Sequence, residues 1–76
     1  MDYNKFIELF AEALEIEDSS SLSKETRFRD LEEWDSVVYL NVIMMMDEEF
    51  GVQIENKDFS KLNTIGDIVE FIEKIK

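Results

Sequence analysis

Seventy-six residues allow one domain with a thin core, since a chain of this size buries only about 60% of the surface it exposes when unfolded. The absence of cysteine and histidine excludes disulfide staples, thiolate or imidazole metal sites, and the side chains that most readily act as base or nucleophile near neutral pH. Nineteen acidic residues against eight basic ones leave a formal charge of −11, which repels nucleic acid and anionic lipid and favours salt-sensitive encounters with basic patches on other proteins.

Packing must therefore hold the chain. No proline and only two glycines suit helices joined by polar connections, which predicts one all-α domain over residues 1–76. The segment from Met1 to Phe10 is acidic and helically patterned, without the basic start and apolar core of a secretion signal. The longest apolar run, Val37 to Met46, is broken by Asn41 and reaches about half the length that spans a membrane. A cytoplasmic protein is expected.

Tyr3, Phe6, Ile7, Phe10 and Leu14 recur at the spacing of an amphipathic helix, with Asp2, Lys5, Glu8, Glu12 and Glu15 on its outer face. Glu17 to Glu33 reads as a long loop with clustered serines, pinned to the core at Leu22, Phe28 and Leu31; a loop this long in a compact domain usually serves a function. Asp35 and Ser36 are both good N-caps for a second helix from Ser36 to Phe50, which Gly51 stops. After Val52 and Ile54, Asn56 is placed to cap a short helical turn from Lys57 to Leu62, with Phe59 and Leu62 inward. Thr64 and Asp67 resemble a capping box ahead of a last helix whose stripe is Ile65, Ile68, Val69, Ile72 and Ile75.

At 100° per residue, the second helix places Tyr39, Val42, Ile43, Met46 and Phe50 in a stripe sufficient to face the core. Val37, Leu40 and Met44 then fall opposite, among Asn41, Asp47 and Glu48. Apolar groups rimmed by charge mark an interaction surface, and methionine suits several partners. The competing reading is that the long loop covers them. Asp47, Glu48 and Glu49 also occupy the last turn, where the macrodipole disfavours negative charge by a few tenths of a kcal/mol each. These acids do not help the helix and suit a partner bordered by Arg or Lys.

No EF-hand pattern is present, and carboxylate pairs such as Glu32 and Glu33 have no evident cleft to shift their pKa values, so an enzyme is not expected. Ser36 is the residue with chemical potential. At the first position of a helix its hydroxyl faces solvent beside free N–H groups that favour a phosphate, which fits a phosphodiester anchor as well as an ordinary cap.

Trp34-Asp35-Ser36-Val37, an apolar helix, Asp47-Glu48-Glu49-Phe50-Gly51-Val52-x-Ile54, and Leu62-x-Thr64-Ile65-Gly66-Asp67-Ile68-Val69-x-Phe71-Ile72 follow one another in an order that resembles the acyl carrier proteins over essentially the whole chain. The resemblance implies a four-helix carrier bundle, three main helices plus a short one behind a long first loop. It implies that a phosphopantetheinyl transferase attaches 4'-phosphopantetheine from coenzyme A to Ser36, next to Asp35, so that cargo rides as a thioester and partner enzymes do the chemistry. It further assigns docking of cargo-loading and cargo-processing enzymes to Val37, Leu40, Asn41, Met44, Met45, Asp47 and Glu48, and a cargo pocket to Tyr39, Met46, Ile54, Phe59, Leu62 and Ile68.

The chain departs from the Gly-x-Asp-Ser-Leu of general fatty acid carriers. Glu33 stands for the glycine and Val37 for the leucine, while Val38 and Asn41 replace acids common in the early turns of the second helix. The Trp-Asp-Ser form looks more like carriers of specialised pathways. The expectation is a monomeric carrier whose cargo, fatty acyl, polyketide or aminoacyl, is chosen by its loading enzyme. The alternative is a helical adaptor that binds partners through the second helix with Ser36 as a plain cap.

Overall fold

A computed structural model of the chain describes residues 2–75. It is all-α: α1 (Tyr3–Ala13), 3-10 turns at Ser19–Ser21 and Phe28–Asp30, then α2 (Ser36–Phe50), the short α3 (Asn56–Phe59) and α4 (Ile65–Ile75). Among the described residues no strand forms, and only an isolated bridge pairs Arg27 with Thr64. Among the described residues no helix is long and apolar enough to cross a membrane.

The Asp2 carboxylate starts α1 by accepting from the N–H groups of Asn4 and Lys5, at 3.0 and 3.3 Å. The helix buries Phe6, Ile7, Phe10 and Ala11, and Leu14 at its C-cap is buried too. Ala11 was not in the expected stripe because its size, not its phase, hid it. Tyr3 lies half-buried at the start, with the Lys24 ammonium 5.0 Å from its ring centroid.

The connection after α1 is more ordered than its composition suggests. The Asp18 carboxylate caps the serine cluster through the Ser20 N–H at 2.9 Å, turning it into a 3-10 turn. Leu22 and Phe28 are buried and Leu31 is half-buried, so the expected pins hold the segment. The same segment also starts α4, because the Thr26 and Lys24 carbonyls accept from the Ile65 and Gly66 N–H groups at 3.0 and 2.9 Å. A Cβ at position 66 would stand 3.0 Å from the Lys24 carbonyl oxygen, a tight contact, so this close approach favours glycine.

Three details of the later helices correct the sequence reading. Helix α2 buries Val38, Val42, Met45 and Met46, whereas Tyr39, Ile43 and Phe50 are half-buried. Apolar residues occupy so much of its circumference that the wheel alone did not set its phase; packing against α1 did. Helix α3 ends at Phe59, and Asn56 is its first residue and not its cap: the preceding Glu55 makes no side-chain cap bond, and Asn56 instead accepts from the Tyr39 hydroxyl at 3.2 Å. Leu62, past the end of α3, is half-buried, and Ile75, at the end of the α4 stripe, is 55% exposed because the core stops at Ile72.

The ends of α2 and α4 are as expected. Gly51 adopts a left-handed φ of 65° and stops α2. The Asp67 N–H donates to Thr64 Oγ1 at 3.1 Å, while the Asp67 carboxylate accepts from the Asn63 and Thr64 N–H groups at 2.9 and 3.1 Å. The Asn63 N–H, and after it the Thr64 N–H, hold the Asp67 carboxyl below its ordinary pKa of 3.8. A lowered folded-state pKa means that this cap contributes fully above pH 3.8 and is lost as the pH falls through the lower folded value. The gap in Tm between the wild type and Asp67→Asn is therefore expected to narrow on acidification below pH 3.8, as followed by circular dichroism melts; a gap that stays constant to lower pH contradicts the assignment.

Candidate functional site

Asp35 and Ser36 divide the work at the open end of α2. Asp35 has extended backbone angles (φ −153°, ψ −174°) that turn its carboxylate back over the first turn, where it accepts from the Val38 N–H at 2.8 Å. Asp35 is thus the cap, and the question the sequence left open between the two residues is resolved. Ser36 is the first residue within the helix and is exposed; among the described residues its hydroxyl has no hydrogen-bond partner. The positive end of the α2 macrodipole and its unpaired first-turn N–H groups lie beside it, which favours an anion bonded to this oxygen.

A groove of about 420 Å³ opens next to Ser36, between the start of α2 and α3. Its wall is aromatic. Phe59 is buried at the base, the Trp34 ring stacks on it with centroids 6.2 Å apart and planes 6° from parallel, and Tyr39 meets it edge-on at 5.2 Å. Asn56 and Ser60 supply polar groups at the α3 side. Arg29, from the second 3-10 turn, completes the lining: its Nη2 donates to the Phe59 carbonyl at 2.9 Å and its Nη1 to the Leu62 carbonyl. Its guanidinium also lies 4.8 Å from the Phe28 ring centroid and 5.3 Å from that of Phe59.

The residues assigned to docking separate into two groups. Val37, Leu40 and Met44 are 63, 56 and 57% exposed, so the long loop does not cover them, and Asp47 and Glu48 are exposed on the same helix. Met45, by contrast, is buried, a correction that follows from the phase of α2: it belongs to the same core cluster as Val42. Asn41 is half-buried because its Nδ2 donates to the Ala13 carbonyl at 3.3 Å, tying α2 to the end of α1.

The six residues assigned to a cargo pocket also divide. Tyr39 and Phe59 line the groove beside Ser36. Met46, Ile54 and Ile68 lie deeper, in the same continuous core cluster as Phe59, and Leu62 packs against that cluster from its edge. Arg29, Asn56 and Ser60 were missed. Their side chains carry no periodic signal, and they reach the groove only through contacts between segments about thirty residues apart, as with Arg29 and Phe59. Among the described residues no cluster of acids could hold a metal ion.

A small helical bundle that offers an uncommitted serine hydroxyl at the mouth of its second helix, with capping handled by the residue before it, has the arrangement of a carrier domain. Comparison with known proteins agrees: residues 4–72 match the family described as "Phosphopantetheine attachment site". An acyl carrier protein of Thermotoga maritima is 33% identical over 72 residues, covering 95% of this chain and 88% of the relative. One from Lactobacillus acidophilus is 31% identical over 71 residues, with 93 and 88% covered. The solution structure of holo acyl carrier protein from Geobacter metallireducens has the same fold, with a TM-score of 0.79 at 24% identity over 93% of this chain and 80% of that one. The chain belongs to the acyl carrier protein family, whose cofactor is covalently attached 4'-phosphopantetheine.

With Asp35 as the cap, Asp35→Ala is expected to cost about 1 kcal/mol of stability. Ser36→Ala should change it by less than about 0.5 kcal/mol, both read from urea denaturation. The reverse order would make Ser36 the cap.

Proposed function

We propose that this chain, as one carrier domain over residues 1–76, is modified at Ser36 by a phosphopantetheinyl transferase and presents acyl or aminoacyl cargo to partner enzymes without catalysing a reaction itself. The observation that supports this most is the exposed Ser36 hydroxyl, left free because Asp35 caps α2. In the transfer, the Ser36 oxygen bonds to the phosphorus bearing the pantetheine half of coenzyme A as the pyrophosphate linkage breaks. The nucleotide half leaves, and the serine proton goes to a base of the transferase. The bound group supplies a thiol on a flexible arm, which a chain without cysteine does not otherwise have, and cargo rides there as a thioester. The N-terminus of α2 fits the phosphodiester, and the groove fits the root of the arm. For longer apolar cargo, the core layer of Met46, Ile54, Phe59 and Ile68, with Tyr39 and Leu62 at its edge, is the region that would have to open.

The docking face in this reading is Val37, Leu40 and Met44 with Asp47 and Glu48, and Asn41 at its margin. Its acids steer enzymes with basic patches, and its apolar residues supply contact area. The Trp34-Asp35-Ser36 form, with Glu33 and Val37 flanking it, supports a specialised pathway over the general fatty acid synthase. A monomer acting in the cytoplasm completes the proposal.

Incubation with coenzyme A, Mg²⁺ and a broad-specificity transferase should raise the intact mass by one phosphopantetheinyl group, and Ser36→Ala should abolish the gain. Failure with several transferases argues for the adaptor instead. Leu40→Ala combined with Met44→Ala should lower the transferase's kcat/KM for this carrier about tenfold while leaving the melting curve nearly unchanged. An unchanged kcat/KM removes these residues from the docking face.

A further inference from the structure

We propose that Arg29 is a positioning cation for the phosphodiester at Ser36, holding the root of the arm against the groove; the inference rests on modification of Ser36. Four observations carry it. Arg29 and Ser36 line the same groove, and Arg29 is the cationic residue among those lining it. Among the described residues no carboxylate lies within ion-pair distance of Arg29, although the chain carries a net charge of −11, and the surface ion pairs of Arg27 with Asp30 and of Lys57 with Glu55 do not involve it. The guanidinium is fixed in place by the Phe59 and Leu62 carbonyls and by the Phe28 and Phe59 rings. Those carbonyls use two of the five N–H donors that an arginine offers, so the fork retains donors for phosphate oxygens.

Electrostatics give the arrangement its purpose. A phosphodiester on Ser36 adds an anion next to the Asp35 carboxylate on a surface already strongly acidic, and the α2 dipole is a partial charge whose influence fades within one turn. A full positive charge held in the same groove offsets that repulsion. Lysine would be a weaker solution, because an ammonium on a flexible stem lacks the planar fork that the two carbonyls hold in register. Arg29 also staples its loop to the end of α3, so loss of stability on its removal does not by itself distinguish the two roles. The discriminating quantity is the difference between the unmodified and modified protein.

Wild type, Arg29→Lys and Arg29→Gln are each loaded with phosphopantetheine, with loading verified by intact mass, and melted before and after loading at low and high salt. The expected result is a Tm gain on loading of the wild type of about 4 °C at low salt that shrinks at high salt, is absent or reversed in Arg29→Gln, and is partly kept by Arg29→Lys. In ¹⁵N-labelled wild type the Arg29 Nε–H resonance should also move on loading and return toward its starting position with added salt, a readout that does not depend on how well the variants fold. An identical Tm response in wild type and Arg29→Gln, or an Arg29 resonance unmoved by loading, overturns the inference while leaving Ser36 modification standing. No mass gain in the wild type overturns both.

Discussion

The burial of Phe28 is the interaction on which the rest of this small structure depends. It belongs to the long connection after α1, yet its ring is completely buried. Phe10 of α1 stands 6.3 Å away, Phe59 of α3 5.4 Å and Trp34 4.9 Å, centroid to centroid. Burying such a ring is worth about 1.5–3 kcal/mol, and ordering each loop residue costs about 1–2 kcal/mol. One anchor does not offset a connection that runs from residue 14 to residue 35, which is why Leu22 and the carbonyls of Lys24 and Thr26 also bind the segment to the bundle. The loop thereby becomes part of the core, and two residues lining the groove next to Ser36 are set by it: Arg29 follows Phe28 directly, and Trp34 stacks across Phe59 just before the Asp35 cap.

The site follows from a division of labour between adjacent residues. A helix start needs an acceptor for its unpaired N–H groups, and a serine used for that purpose would hold its own hydroxyl down. Asp35 takes that task with a single 2.8 Å bond, so the neighbouring hydroxyl stays in water. An oxygen at the N-terminus of a fifteen-residue helix sits in a field that welcomes phosphate, although the surrounding surface is acidic. The same acidity that repels phosphate backbones is suited to encounters with basic protein surfaces. Charge and site thus point the same way.

Helix α2 has to serve two surfaces at once. Val38, Val42, Met45 and Met46 close the core, while Val37, Leu40 and Met44 stand in water on the other side, an arrangement that weakens solubility unless charge surrounds it. Asp47 and Glu48 provide that charge at the cost of an unfavourable interaction with the C-terminal end of their own helix. Asn41 lies at the seam, and its bond to the Ala13 carbonyl fixes how α2 turns against α1.

Much of this was legible in the amino-acid order, because it depends on interactions within a few residues. The Asp2 cap, the Gly51 stop, the Thr64-Asp67 box, the periodicity of α1 and α4, and the Asp-Ser dipeptide at the mouth of α2 are all local, and local chemistry survives in one dimension. The order of those motifs also identified the family. What the tertiary structure alone decided is whatever required choosing between equivalent local options or joining distant ones. The phase of α2 belongs here, since a helix apolar around most of its circumference takes its orientation from its neighbours, which moved Met45 from the surface to the core. So do the Tyr39 bond that drew Asn56 away from capping, and the meeting of Arg29 with Phe59 and Leu62, because the physical partner in each case lies many residues away and leaves no periodic trace.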